Sequence, residues 1–255
     1  MRRLDQSQER ELSLRLAGDP KTARAHYALE MCGATAWRTA DSRCFAVVFP
    51  DHLREVHIIG VGDMGDVLRF IGPMPKGMKV LMSKHLYAQM AHMVEARTMR
   101  TIEYHAGNAG TSPSGLPPPN PELDIRELLF SDLPNVQRMP PDASFLFCTY
   151  SEPHEVLTRS VAFGVFNGTG IMSLATVELG RSFANVLAFT LPEMRGKGMA
   201  TLCVASLLDR LRHSGERPLF CIPAENGSPE RAMARRFGLE RVGEMAMVER
   251  RHIAL

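Results

Sequence analysis

Cysteine is scarce in this chain of 255 residues, with five in all, at positions 32, 44, 148, 203 and 221. None forms a CxxC pair and the number is odd, so no disulfide framework is expected and the thiols read as reduced and mostly buried. Charge of one sign is not in excess. Thirty Lys and Arg against 28 Asp and Glu leave a formal net charge of +2, too little to make nucleic acid a main partner, because phosphate backbones are gripped by a concentrated basic face. No apolar run reaches the roughly 20 residues of a membrane helix. The opening MRRLDQSQERELSLRL is too charged for the core of a signal peptide. A cytoplasmic chain without a membrane partner is expected, in which the sequons at Asn167 and Asn226 carry no meaning. HExxH, GxSxG and Walker patterns are absent, and no metal is expected.

What is there suits a packed protein: 45% of the residues are hydrophobic and 23% charged, enough for a core and a solvated surface. Residues 107–121, GNAGTSPSGLPPPNP, are dense in Gly, Pro, Ser and Asn and can build neither a helix nor a central strand, so they read as a linker. The chain is thereby divided into an N-terminal α/β half, 1–106, and a second domain, 122–255. In the first half, periodicity predicts helices over 1–17 and 21–37, strands over 43–49, 55–59 and 79–82, and a helix over 84–97. In the second it predicts a helix over 125–130 and strands over 145–150, 160–166, 171–179 and 185–191. Asn167-Gly168 marks a hairpin. A long helix follows over 198–213, then a strand over 218–222 and a helix over 229–236 closed by Gly238. Met90 and Met93 fall in an apolar helical pattern and read as core.

Two glycine motifs compete. Gly60-Val-Gly62-Asp-Met-Gly65 matches GxGxxG, but Gly72-Pro73 and Pro75 interrupt the chain soon after, and the next acidic residue beyond Asp66 is Glu95. A dinucleotide site needs a helix there and an acid about 20 residues on; the motif reads as a turn between strands. The second, Leu191-Pro-Glu-Met-Arg195-Gly196-Lys197-Gly198-Met199-Ala200, lies between a strand and an amphipathic helix beginning at Thr201-Leu-Cys-Val. Glycines there let backbone N–H groups approach an anion, the helix start adds partial positive charge, and Arg195 and Lys197 add full charges.

This segment resembles the pyrophosphate loop of the GNAT N-acetyltransferase superfamily, Arg/Gln-x-x-Gly-x-Gly/Ala, with Arg195, Gly198 and Ala200 in the fixed positions. The resemblance runs from about residue 122 to 247 and takes in PLFCIPAEN and the ending Arg-Phe237-Gly238-Leu239. The whole is most similar to two-part members whose N-terminal half is degenerate, the glycine N-acyltransferase-like branch among them. It implies a mixed, mostly antiparallel sheet flanked by helices, with an N-terminal α/β half of related type. It also implies acetyl-CoA, or another acyl-CoA, as co-substrate, and transfer of the acyl group to a primary amine on a small molecule or peptide. A homodimer is admitted as the assembly. By the resemblance, Phe189, Thr190 and Leu191 offer backbone groups to the pantetheine arm, Gly196, Lys197, Gly198, Met199, Ala200 and Thr201 hold the diphosphate, and Asn226 approaches the thioester end.

The family's tyrosine, four residues before the glycine of the ending, is Ala234 here. A thiol of pKa near 8.5 departs as thiolate with little help. Tyr150 is the candidate acid, set against an ordinary place on an amphipathic edge. The amine must shed a proton, and Glu178 is the candidate base, set against a solvated strand end. Glu225 is second, and His154 reads as surface. A non-catalytic acyl-CoA sensor is the alternative function.

Overall fold

The computed structural model describes residues 1–92, 95–108, 123–147, 149, 150, 152, 154–168, 170–225 and 227–252, the side chains of 95–98 and 250–252 excepted. The expectations for Cys148, Asn226, Met93 and most of the linker lie outside the described residues. The chain forms two compact units, one of Met1–Tyr104, Ile222–Asn226 and Val242–Leu255, the other of His105–Cys221 and Gly227–Arg241.

The first unit begins with β1 (Arg2–Arg3), α1 (Gln6–Leu16) and α2 (Ala23–Met31). Asp5 caps α1 through a capping box with Gln8, which satisfies two orphan N–H groups at once. The expected helix over 21–37 ends early. Gly33 turns the backbone to φ +70°, and Trp37 lies instead in β2 (Thr35–Arg38), paired with β3 (Cys44–Val48). Next come β4 (Glu55–Gly60), α3 (Met64–Ile71), β5 (Lys79–Met82), α4 (Lys84–Met90) and β6 (Glu95–Ala106). The expected helix over 84–97 is therefore only its first half. The Gly60–Gly65 motif, expected to join two strands, leads instead from β4 into α3. Asp63 accepts the N–H of Asp66 and starts the helix, while Val67 and Ile71, one turn apart, bury its inner face.

β4 and β5 run parallel over Glu55↔Lys79, Val56↔Val80 and His57↔Leu81. On one face, Ala46, Val56, Ile58, Val80 and Met82 pack with Val67, Ile71, Leu86 and Met90 of the helices. On the other, Arg24 of α2 reaches Glu55 of β4. A Cβ on Gly60 would sit 2.2 Å from the Arg43 carbonyl oxygen, at φ +95°. Gly60→Ala is expected to lower stability by at least about 2 kcal/mol, since both backbone strain and a backbone clash must be relieved; urea denaturation measures it.

The second unit opens with β7 (Asp124–Glu127), α5 (Leu133–Gln137) and α6 (His154–Arg159). Residues 125–130, expected to be helical, hold an edge strand instead. Asp124, Arg126 and Glu127 are polar because only β8 (Ala162–Asn167) pairs with them, over Asp124↔Phe166 to Glu127↔Phe163. The described residues of 145–150, expected to form a strand, do not form one. After Pro140-Pro141 the chain winds into a 3₁₀ turn, Pro141–Leu146, with Phe147 N–H on Ser144 O and Tyr150 N–H on Phe147 O.

The meander then follows its sequence pattern: β8 to β9 (Gly170–Leu179) through a turn with Gly168 at φ +61°, and β9 to β10 (Phe183–Thr190). After β10 come α7 (Met199–Leu211), β11 (Arg217–Pro223), α8 (Pro229–Arg236) and β12 (Glu240–His252). The strand order in this unit is β11-β10-β9-β8-β7, with only β10 and β11 parallel. In the first unit the order is β1-β2-β3-β4-β5-β12-β6, and β12 lies antiparallel to β5 over Ala246↔Met82 to Glu249↔Lys79. Each half of the chain thus runs through one plan: helices, a three-strand meander, a glycine turn, a helix, a parallel strand, a helix and a last strand. The fold is a mixed, mostly antiparallel sheet with flanking helices.

Candidate functional site

The glycine turn after β10 is built by three local causes. Pro192 starts a single 3₁₀ turn, Pro192–Met194, which lifts the chain off the strand. Gly196 and Gly198 then adopt φ +76° and +78°, a region that side chains with a Cβ avoid. Gly198 is the N-cap of α7, and no side chain caps that end. The first helical hydrogen bond runs from Leu202 N–H to Gly198 O, so the amides of Met199, Ala200 and Thr201 precede the ladder and have no acceptor within the helix. Arg195, Gly196 and Lys197 are exposed. Arg195 donates through Nε to Thr190 O at 3.2 Å and lies 5.9 Å above the Phe189 ring, and Lys197 Nζ lies 3.6 Å from Met194 Sδ.

β10 and β11 are paired over only Phe183↔Arg217, Ala184↔Pro218 and Asn185↔Leu219. Beyond Leu219 and Asn185 both strands continue without pairing to each other, and the parallel edge of β10 opens. Leu191 N–H donates to Met172 O at 2.9 Å and Ser173 Oγ to Phe189 O at 3.0 Å. Backbone groups alternate sides along a strand, so those of Phe189 and Leu191 face β9, whereas those of Ala188 and Thr190 face the opened edge. Of the three residues singled out from sequence for the pantetheine arm, Thr190 alone has that orientation.

At the closed end of the opening, Glu178 of β9 stands directly across from Asn185 of β10. Asn185 Nδ2 donates to Glu178 Oε2 at 2.7 Å, and the residues are 4% and 2% exposed. Glu178 is therefore not the solvated strand end that its position in the sequence allowed. Asn185 Oδ1 is buried and meets no hydrogen-bond donor among the described residues, a condition that costs about 1–3 kcal/mol when left unmet. Asn185 was not singled out from sequence. Its only signal there is one amide in an otherwise apolar strand, FANVLAFT.

The remaining candidates lie on other elements. Tyr150 is buried in the turn after the 3₁₀ segment, not on a strand. Glu225 follows β11, and His154 opens α6. Ala234, at the tyrosine position, is fully buried on α8. Thiol chemistry is disfavoured at the buried cysteines: burial pushes Cys203 up to about 12 and Cys44 up to about 11. Among the described residues, no group of three or more His, Cys, Asp or Glu could hold a metal, and no helix is long and apolar enough to cross a membrane.

No family model matches the chain, and no curated protein matches it by sequence. Solved structures do share its fold. A GCN5-related N-acetyltransferase-like protein from Streptococcus suis superposes with a TM-score of 0.70 at 13% identity, covering 97% of this chain and 100% of its own. A tandem GNAT protein from the clavulanic acid biosynthesis pathway gives 0.63 at 11% identity, covering 97% and 96%. A GCN5-related N-acetyltransferase from Sphaerobacter thermophilus gives 0.57 at 13% identity, covering 100% and 96%. The chain has a two-part GNAT fold.

Proposed function

We propose that the protein is an acyl-CoA-dependent N-acyltransferase that moves an acyl group, an acetyl group by preference, from the thioester to a primary amine of a small molecule or peptide. The observation that carries this reading is the turn between β10 and α7, where two left-handed glycines bring uncapped helix-start amides to an exposed edge. These amides grip the diphosphate, and Arg195 and Lys197 add charge. From Thr190 back to Asn185 is five residues, about 17 Å at a strand's rise, a length comparable to the pantetheine arm. The open edge of β10 takes that arm through the backbone of Thr190 and Ala188 and leaves the thioester near Glu178.

Glu178 takes a proton from the amine, and the amine nitrogen attacks the thioester carbon. A backbone N–H on the opened edge of β10, that of Ala188, stabilises the developing oxyanion, since it lies nearer Glu178 than Thr190 does and faces away from β9. The thiolate departs without a tyrosine. Bringing both reactants together supplies much of the acceleration.

Ala234 at the tyrosine position supports a second reading, a sensor that binds acyl-CoA without turning it over. Release of free thiol from acetyl-CoA across a panel of primary amines tests both. Amine-dependent release is expected with at least one amine class. Tight binding of acetyl-CoA with no release for any amine means the sensor.

A further inference from the structure

An acceptor group is left over at the closed end of the β10 opening. A carboxylate only accepts hydrogen bonds, so the contact to Glu178 fixes which end of the Asn185 amide faces it: nitrogen toward Oε2, at 2.7 Å, and oxygen away. That oxygen is buried, belongs to a residue only 4% exposed, and finds no donor among the described residues. Asn185 is also the last residue of β10 paired to β11 before the two strands part.

A buried amide oxygen beside a carboxylate, at the head of an opening between strands, suits a ligand that brings several N–H groups on one atom. An ammonium does so. The corresponding place in the first unit is built differently. There His57 is the last residue of β4 paired to β5, and its carboxylate neighbour, Glu55, is met by Arg24.

We propose that Asn185 recognises the acceptor: its Oδ1 and the Glu178 carboxylate together receive the ammonium group of a primary amine, while its Nδ2 holds Glu178 in place to take the proton. The inference rests on the acyl-transfer reading given above. The steps balance. R–NH3⁺ gives one proton to Glu178, the neutral nitrogen bonds to the thioester carbon as the carbon–sulfur bond breaks, and the second proton leaves the new amide nitrogen for the thiolate. The products are an amide, a free thiol and a protonated Glu178, which returns its proton to water.

The test uses the full-length protein, acetyl-CoA, and two nucleophiles: the primary amine turned over fastest in a screen, and hydroxylamine. Hydroxylamine is largely unprotonated at neutral pH and so needs neither an ammonium site nor a deprotonation before it attacks. Asn185→Leu is expected to lower kcat/KM for the amine about 100-fold, in the range of a lost acid–base contribution, by raising the amine KM and lowering kcat together. The rate with hydroxylamine should fall at least about tenfold less than the rate with the amine. Asn185→Asp, nearly the same shape, guards against a variant that fails to fold. Two buried carboxyls this close share one proton, so the pair still offers acceptors to the ammonium but takes up a second proton less readily, and kcat should fall while the amine KM holds.

Equal losses with amine and hydroxylamine in both variants would mean a structural role only, and no loss in either would mean no role; each overturns the inference while the acyl-transfer reading stands. A wild-type protein that acylates neither nucleophile overturns that reading, and the inference with it.

Discussion

Gly198→Val is expected to raise the Kd for acetyl-CoA by about 100-fold, close to 2.7 kcal/mol. Gly198 holds φ +78° and ψ 3° as the N-cap of α7. A β-branched residue forced there costs roughly 1–2 kcal/mol in backbone strain, and relieving that strain rotates the amides that follow. On the acyl-CoA reading, Met199, Ala200 and Thr201 offer their N–H groups as a set, so a modest rotation would remove several contacts to the diphosphate together. Calorimetric titration with acetyl-CoA measures the change. Gly215→Val is the control. Gly215 also lies at positive φ, +85°, with open space around it, but at the far end of α7, about 20 Å away by the helix rise. It carries the same kind of strain and should leave Kd unchanged. If Gly198→Val binds acetyl-CoA as wild type does, the turn after β10 does not hold the diphosphate.

The second large effect belongs to the first unit. Glu55 is 4% exposed and shares Arg24 Nη1 between its two oxygens, each at 2.5 Å, with His57 Nε2 2.7 Å from Oε1. Burial by itself drives this carboxyl upward; the Arg24 guanidinium and the His57 contact overcome it and hold the pKa at about 2. Arg24→Met leaves a buried carboxylate without its counterion and is expected to destabilise the protein by about 3–5 kcal/mol. Arg24→Met with Glu55→Gln should recover much of that loss, because no charge then remains to be buried.

The pH dependence follows from the sign of the shift. The folded carboxyl titrates below its ordinary value of 4.5. Its contribution, about 3 kcal/mol from the gap between the two values, is complete above pH 4.5 and is lost as pH falls toward 2. Urea denaturation of wild type and Arg24→Met between pH 6 and about pH 2 should therefore converge in acid. A gap that stays constant over that range would mean that the ion pair does not supply the stability.

The parts legible in the sequence are those whose signal is local. The turn and α7 announce themselves by Gly196, Gly198 and an amphipathic run, and β8, β9 and β10 by apolar residues ended at Asn167-Gly168 and before Phe183. Where a neighbour distant in sequence decides, the reading fails. Residues 124–127 look polar enough for a helix because only one side of that strand is paired. Phe145, Leu146 and Phe147 look like strand residues, but the prolines before them set a 3₁₀ turn whose aromatic ring, Phe145, packs 6.3 Å from Phe189. At the site, the carboxylate was visible as a strand-end acid; its partner was not, because the pairing of Glu178 with Asn185 depends on the register of β9 against β10, which no motif encodes.

The antiparallel pairing of β12 with β5 bears on how the protein is made. A ribosome adds about 5–20 residues per second, so β5 leaves it on the order of ten seconds before the strand that will cover its edge. Through that interval the nascent chain carries an unsealed β-edge, Lys79–Met82, in a half otherwise ready to collapse. Translation of the last segment therefore sets when the first half can finish folding.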